Sequence, residues 1–233
     1  MQIRDMNWMQ VEERLRRDPR AVIPLGSTEQ HAQLSLCVDQ ILAERVATEA
    51  AEPLGVPVFP SLPYGLAPYF TAYPGTVNLR TSTYVALLRD LLASVADGGA
   101  RRILLVNGHG GNRAATNVAL EFMNERPDVS VKWHDWWAAP RTMATVQEID
   151  PEASHGSWME NFPWTRLPDA PAPDDARPMT DMARMRATGA AGVRELLGDG
   201  NMGGRYQRPD DETSRIWRVG VEETREALEG PWS

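Results

Sequence analysis

The feature that most constrains the fold is the run RILLVN at residues 102–107. Its consecutive apolar residues would be buried on both faces of a strand, as in the middle of a parallel sheet covered by helices. Shorter apolar runs at 21–26, 56–62 and 129–133 alternate with helical patterns. The alternation predicts a three-layer α/β/α fold with a mostly parallel central sheet, in one domain spanning residues 1–233.

Helices are predicted where apolar residues recur at intervals of three and four. The segments with this pattern are 7–18, 38–52, 112–125 and 211–229, together with a helix whose N-cap is Thr81. In the first of them, Trp8, Val11 and Leu15 fall on one face. The pattern weakens after residue 138, and prolines and acids predict an exposed, extended segment at 163–180.

Composition excludes several classes of function. The net charge is −8 and no large Lys/Arg cluster stands out, which argues against a nucleic-acid-binding protein. No apolar run approaches the roughly 20 residues of a membrane helix, and the N-terminus lacks the layout of a signal peptide. The one cysteine, Cys37, cannot form an internal disulfide, so the cytoplasm is the expected compartment.

The first group of candidate site residues follows the strand at 21–26. Glu29 and His31 come directly after its Gly26-Ser27-Thr28 break, and Asp39 comes eight residues later. If the extended path continues, Glu29 and His31 point to the same side, because side chains alternate along a strand. A carboxylate and an imidazole placed together suit a divalent metal. The alternative is a polar strand end with an incidental histidine.

Two more histidines lie in loops that lack a core pattern. His109 stands between glycines just after the strand at 102–107, at the kind of edge where open α/β sheets bind ligands. A nucleotide-phosphate loop is a rival interpretation, but the segment has neither GxGxxG nor GKS/T. A structural histidine is another. His155 lies near Glu160 in SHGSWMEN, whereas His134 is predicted to pack beside tryptophans at a strand end.

Four motifs resemble those of the creatininase family of metal-dependent amidohydrolases. GSTEQH at 26–31, followed by Asp39, resembles GSxEQH…D, and YPGT at 73–76 resembles FPGT. VNGHGGN at 106–112 resembles NGHGGN, and HGSWMEN at 155–161 more loosely resembles HAGExETS. The order of the motifs also agrees with the family, so the resemblance implies a creatininase-like fold.

The resemblance implies a binuclear metal site with Zn(II) and/or Mn(II), in which Asp39 bridges the two ions. The implied ligands are Glu29, His31, Asp39, His109 and Glu160. His155 and Glu160 would be the catalytic residues, with His155 donating a proton to the leaving group or positioning the substrate. Two divalent ions can activate water without a protein nucleophile.

Departures from the family motifs bear on the ligand set and on the substrate. Gly111 stands where creatininase itself has a carboxylate, which is why Glu160 is assigned as a ligand. Phe70 replaces a usual loop histidine, and Trp158 replaces the first glutamate of HAGExE. Creatinine is therefore not a safe assignment. Aromatic residues could wall the substrate pocket or simply pack loops and interfaces: Tyr64, Tyr69, Phe70, Tyr73, Trp136, Trp158 and Trp164.

The resulting hypothesis is a hydrolase that opens a small cyclic amide or a related cyclic carbonyl compound through a metal-activated hydroxide. One alternative is a ring-opening hydrolase of a diketo-inositol (3-dehydro-scyllo-inosose) that uses the same metal site. Another is a non-catalytic metal-binding assembly protein. The resemblance also implies a homo-oligomer, commonly a hexamer in this family, acting on a small polar cyclic substrate without nucleic acid or membrane partners.

Overall fold

The computed structural model of the chain describes residues 1–232 and contains a parallel three-stranded sheet with strands in sequence order. The strands are β1 (Arg20–Leu25), β2 (Arg102–Asn107) and β3 (Ser130–Asp135). Leu25 lies beside Asn107, which lies beside Asp135. All three strands therefore end at the same edge of the sheet, and the loops that follow β1 and β2 begin there.

The predicted strand at residues 56–62 is not continuous. The segment runs parallel to β1 and forms only isolated bridges, pairing Val58 with Val22 and Leu62 with Leu25. Prolines at positions 57 and 60 have no N–H to donate, so a regular ladder cannot form. The segment is an irregular edge of the sheet.

Eight α-helices surround the sheet within residues 1–232. They are α1 (Trp8–Arg17), α2 (Val38–Ala51), α3 (Thr81–Asp97), α4 (Asn117–Glu125), α5 (Pro140–Ile149), α6 (Met182–Arg186), α7 (Ala190–Leu197) and α8 (Asp210–Glu229). None of the helices in this part of the chain is both long and apolar enough to span a membrane.

The core lies on both faces of the sheet. One face of β1 and β2 packs against α3 and α4 through residues that include Ile23, Leu105 and Phe122. The other face packs against α2 and α8, where Leu104 and Trp217 belong to the same cluster. Helices therefore cover both faces of a parallel sheet, and the predicted three-layer α/β/α class is confirmed.

The differences from the expected elements have local causes. The helix expected over 112–125 begins as a 3-10 turn at 110–115, within its glycine-rich start. Trp8 is 71% exposed because it begins α1 beyond the reach of the core, whereas Leu15 is buried. The N-cap of α3 is Arg80 rather than Thr81. The helices α5, α6 and α7 were not predicted, and the segment after residue 165 is irregular and mostly exposed up to α6.

Candidate metal centre

Six of the side chains that the sequence indicated meet at the carboxyl edge of the sheet. Three carboxylates and three histidines come from four segments: the loop after β1, the start of α2, the loop after β2 and the loop after α5. They are Glu29, His31, Asp39, His109, His155 and Glu160. The parallel order of the strands brings these segments together, because β1 and β2 are neighbours and end level with each other.

The first ligand group consists of Glu29, Asp39 and His109, all buried. Nδ1 of His109 lies 2.8 Å from Oδ2 of Asp39 and 3.3 Å from Oε1 of Glu29. Two carboxylate oxygens and one imidazole nitrogen thus point at one another from three different segments. Such a mixed N/O set is one that Zn(II) and Mn(II) accept.

The second ligand group shares Asp39 with the first and adds His31 and Glu160. Nε2 of His31 lies 3.0 Å from Oδ1 of Asp39 and 3.8 Å from Oε2 of Glu160. The two oxygens of Asp39 therefore face different histidines. This is the geometry expected of a carboxylate between two ions.

Hydrogen bonds to the backbone orient both histidines. Nδ1 of His31 lies 3.1 Å from the carbonyl oxygen of Glu29, and Nε2 of His109 lies 2.8 Å from that of Leu66. A carbonyl only accepts, so each of these nitrogens donates a proton. In a neutral ring the other nitrogen then presents its lone pair to the carboxylates. Backbone partners of this kind are typical of histidines that ligate metals.

The carboxylates are oriented in the same manner. The hydroxyl of Ser27 donates to Oδ2 of Asp39 at 2.8 Å, and the backbone N–H of Gly156 donates to Oε2 of Glu160 at 2.7 Å. Both oxygens of Glu29, by contrast, are buried and accept no well-aligned hydrogen bond from the described residues; the imidazoles of His109 and His155 lie 3.3 and 3.6 Å from Oε1. An ionised carboxylate in that position calls for a cation, because burial of a charge without hydrogen bonds costs several kcal/mol.

The cluster's electrostatics fit cation binding. Burial raises the pKa of Glu29 and raises that of Glu160 to about 7. Burial lowers the pKa of His31, but the carboxylates of Asp39, Glu160 and Glu29 together outweigh burial and raise it to about 10. Glu29 and Asp39 likewise outweigh burial at His109, whose pKa lies well above its usual value. Within residues 1–232, histidines are the only cationic side chains that form ion pairs with the three carboxylates. A bound metal would replace the protons on these histidines.

His155 lies on the cavity side of the cluster. Its ring stacks on Phe70 with centroids 4.6 Å apart and contacts His31 at 4.2 Å. Nε2 donates to the carbonyl of Gln30 at 2.7 Å, and Nδ1 lies 3.6 Å from Oε1 of Glu29. Burial, followed by the charge of His31, holds the pKa of His155 well below its usual value. His155 is therefore neutral, with an acceptor nitrogen at Nδ1.

The backbone at Gly111 leaves no room for a side chain. A Cβ atom there would lie 1.9 Å from the carbonyl oxygen of Leu66 and 2.5 Å from Nε2 of His109. A carboxylate at this position would break the hydrogen bond that orients His109. The position that carries a carboxylate in creatininase itself is thus closed in this chain, and Glu160 is the carboxylate near His31.

The carboxylate and imidazole donors in these two groups suit a site for two divalent ions. Within each group the candidate ligand atoms lie within 4.8 Å of one another, and Asp39 belongs to two groups. The orphaned oxygens of Glu29 add an observation that is independent of the motifs. A third grouping, of Glu29, His31 and His155, makes His155 a further possible donor.

A cavity of about 420 Å³ opens directly onto the cluster. Its walls are mostly apolar and come from the loop around Tyr69 and Phe70, from Trp137, and from α6. Four methionines line it: Met159, Met182, Met185 and Met202. The cavity lies within the size range of small-molecule sites and exceeds what one small ring fills.

Comparison with known proteins decides the family. A family model, Creatininase (creatinine amidohydrolase), matches residues 4–228. The chain belongs to the creatininase family. It is therefore a creatininase-family hydrolase, and the resemblance that the motifs indicated is confirmed.

Relatives within the creatininase family differ in their named substrates. A mycofactocin precursor peptide peptidase of Mycolicibacterium smegmatis is 32% identical over 194 residues, which are 78% of this chain and 74% of that protein. The creatinine amidohydrolase of Pseudomonas putida is 28% identical over 165 residues, covering 65% and 64%. A 3-dehydro-scyllo-inosose hydrolase of Thermotoga maritima is 34% identical over 107 residues, covering 45% and 34%.

Solved creatininase structures share the fold over nearly the whole chain. A crystal structure of creatinine amidohydrolase has a TM-score of 0.77 at 22% identity and covers 97% of this chain and 96% of its own. The structure named Creatininase Mn has a TM-score of 0.76 at 23% identity and covers 98% of this chain and 97% of its own. A mutant creatininase of Zn-Zn type has a TM-score of 0.77 at 22% identity, over 98% and 96%.

The aromatic residues divide between the pocket and the core of this creatininase-family fold. Tyr69 and Phe70 line the cavity, and Tyr64 is 45% exposed. Tyr73 packs beside Phe70, while the remaining three lie in apolar clusters: Trp136, Trp158 and Trp164. Nε2 of His134 lies 3.0 Å from the hydroxyl oxygen of Thr224, and His134 belongs to none of the ligand groups; its packing beside tryptophans stays a prediction.

Sequence reasoning missed the residues that support the ligands and form the wall. Ser27 lies inside the GSTEQH motif, so its position beside Asp39 was the one signal that could have identified it. Met159 lies inside HGSWMEN, whereas the other cavity residues of this kind carry no motif: Trp137, Met182, Met185 and Met202. Arg186 lines the cavity from α6, a helix of five residues that has no periodic pattern.

Proposed function

We propose that this chain is a metal-dependent hydrolase that cleaves an amide bond, with divalent ions held by the two ligand groups. The observation that carries the proposal is Asp39, whose two oxygens face the histidines of separate groups, next to the orphaned oxygens of Glu29. The ligands would be Glu29, His31, Asp39, His109 and Glu160. The similarity to creatininases of Zn-Zn and Mn type supports Zn(II) or Mn(II).

Two divalent ions, when bound, polarise a carbonyl group and lower the pKa of a water molecule. The chain's own residues position the substrate. His155, neutral and with Nε2–H committed to the Gln30 carbonyl, offers Nδ1 as an acceptor for an N–H of the substrate. Phe70 fixes the plane of that ring by stacking. This geometry favours positioning over proton donation as the role of His155.

The cavity favours a peptide-like amide over a small polar ring. Its apolar walls suit a substrate that carries hydrophobic groups, and its volume of about 420 Å³ exceeds the needs of one small ring. The relative with the longest match among those described is named a peptide peptidase. The catalysed reaction would be the addition of water across a C–N bond, giving a carboxylate and an amine.

A small cyclic amide is the second candidate, favoured by the match to creatinine amidohydrolase over 65% of the chain. The inosose hydrolase match covers 45% of the chain, and apolar walls offer few partners for the hydroxyl groups of an inositol. A non-catalytic binding protein is the outcome expected if metal binds and no amide is cleaved.

Metal content is the experiment that tests the proposal. Protein purified without added metal should contain about two divalent ions per chain by elemental analysis. The Asp39→Asn variant should lose most of both, since it removes the shared ligand, whereas the exposed Asp90→Asn on α3 is the matched control. Folded wild-type protein that binds no Zn(II) or Mn(II) would refute the metal site.

A further inference from the structure

One wall of the cavity is built from flexible apolar side chains. Met182 and Met185 project from α6, and Met202 from the glycine-rich loop at 198–204. Met185 is 3% exposed and packs in one cluster with Phe70 and Val193. Methionine is unbranched and polarizable, so such a wall adapts to an apolar group without demanding one shape.

One cation, Arg186, stands in this wall. Among residues 1–232 it is the only Lys or Arg that lines the cavity. Arg186 is an exposed residue whose side chain makes no hydrogen bond or ion pair with the residues that the structure describes, whereas Arg177 pairs with Asp199, and Arg194 donates to the Ala72 carbonyl. A free guanidinium beside an apolar cavity is suited to a carboxylate, which it can bind through two parallel N–H bonds.

Hydrogen bonds fix the start of α6 relative to the candidate site. The Asp181 side chain accepts from the backbone at 183 and 184 and caps the helix. The N–H of Thr180 donates to the Met202 carbonyl at 2.9 Å, and the N–H of Met202 donates to the His155 carbonyl at 3.0 Å. The helix that carries Arg186 is thus connected through two backbone bonds to His155.

We propose that the substrate carries a free carboxylate and an apolar side chain beside its scissile amide, as the end of a peptide does, and that Arg186 binds the carboxylate. The inference rests on the proposed amide hydrolysis and names its substrate class. Hydrolysis breaks the C–N bond, water supplies the hydroxyl to the acyl carbon, and the nitrogen leaves as an amine with a proton from that water. A neutral ring would leave Arg186 without a partner.

The test compares three probes with metal-loaded protein: N-acetylglycylleucine, its C-terminal carboxamide, and N-acetylglycylserine. We expect the free acid to be cleaved with a kcat/KM at least about tenfold above that of the carboxamide, since only the free acid forms charge-assisted bonds with the guanidinium. The leucine probe should also exceed the serine probe, because only leucine fills the methionine wall.

Substitutions assign the effect to one side chain. Arg186→Gln should raise KM for the free acid about tenfold or more with little change in kcat, and leave the carboxamide unaffected. Arg186→Lys should restore part of the preference. Arg184→Gln is the matched control, because Arg184 is exposed on the same helix and does not line the cavity. Its substitution removes the same charge.

The outcomes separate this inference from the proposed function. Unchanged discrimination in Arg186→Gln overturns the role of Arg186. Turnover of cyclic amides such as creatinine, without cleavage of any N-acetyl peptide, overturns the substrate class while supporting amide hydrolysis. Metal-loaded protein that cleaves neither peptides nor cyclic amides overturns the proposed function, and the inference with it.

Discussion

At the scale of single residues, the candidate site depends on side chains that hold the ligands in place. Ser27 is fully buried, and its hydroxyl donates to the same Asp39 oxygen that faces His109. Ser27→Ala removes this bond without removing a ligand. We expect Zn(II) affinity to fall about 10- to 100-fold, as for other outer partners of metal ligands.

Competition with a chelator of known affinity measures that change. Ser94→Ala is the control, since this serine is exposed on α3 and belongs to none of the ligand groups. Equal affinities in the two variants would show that the Ser27 hydroxyl does not support Asp39 as a ligand.

The ligand residues could be named from the sequence because each lies in a motif that follows a strand or begins a helix. Glu29 and His31 follow β1, His109 follows β2, and parallel pairing brings the two strand ends together. The choice of Glu160 over position 111 stays a prediction. It gains physical support from the Leu66 carbonyl, which occupies the space a side chain at 111 would need.

At the scale of elements, α5 is capped by a side chain from another helix. Its own N-cap residue, Ala139, has no side-chain oxygen. Instead the Glu223 carboxylate, on α8, accepts from the N–H groups of Arg141 at 2.9 Å and Thr142 at 2.6 Å. Glu223→Gln should lower the free energy of unfolding at pH 7 by about 1–3 kcal/mol, because it replaces charge-assisted bonds.

The pH dependence of that effect has a definite sign. Burial raises the pKa of Glu223, but the bonds from Arg141 and Thr142 outweigh it, so the folded pKa lies below the unfolded one. Its stabilisation is then present above the unfolded pKa of about 4.3 and is lost as the pH falls through the folded pKa. In urea titrations the gap to wild type should close on acidification, while the exposed Glu222→Gln control shows no gap.

The loop at 198–204 depends on Gly200. Its φ is +105°, and a Cβ atom there would lie 1.7 Å from the side-chain oxygen of Gln30. Gln30 in turn contacts His155 at 2.9 Å. Gly200→Ala should cost about 1–3 kcal/mol of stability through backbone strain. It should also lower turnover, since Gln30 and His155 must shift.

Thermal midpoints and turnover rates check both parts of that expectation. Gly189→Ala is the control, because its Cβ would meet nothing within 4 Å and its φ is −74°. Wild-type stability and turnover in Gly200→Ala would contradict the link between this loop and His155.

The cavity wall could not be predicted from the sequence, for physical reasons. Met182 and Met185 belong to a helix of five residues, too short to show a hydrophobic period. Met202 lies in a loop whose position is set by backbone bonds to Thr180 and His155. Only the three-dimensional structure brings these residues to one wall, whereas the long helices α2 and α8 were readable from their apolar spacing.

At the scale of the whole molecule, metal should couple four separate segments of the chain. Because the ligands range from Glu29 to Glu160, the ions bind only to the folded state. They should stabilise it by about 4 kcal/mol when the free metal concentration is a thousandfold above Kd. Removing the metal with a chelator should lower Tm by on the order of 10 °C, and Zn(II) should restore it.

Scanning calorimetry with and without chelator measures this coupling, and His31→Ala provides the comparison. The variant keeps the group of Glu29, Asp39 and His109, so the chelator should lower its Tm by less than it lowers that of the wild type. A wild-type protein that contains metal but keeps its Tm in chelator would contradict the coupling. The homo-oligomer implied by the family resemblance stays a prediction, which light scattering would test.

The helix α8 packs on the sheet face that also contacts α2, and this position has a consequence for synthesis on the ribosome. Trp217, Val221 and Leu228 cover the sheet face that β1 and β2 present to α2, and Glu223 caps α5 from the same helix. A nascent chain therefore has its strands, and every candidate metal ligand, long before it has the helix that seals them. Until α8 has been made, the apolar face around Leu104 lacks this helix and stays accessible to chaperones.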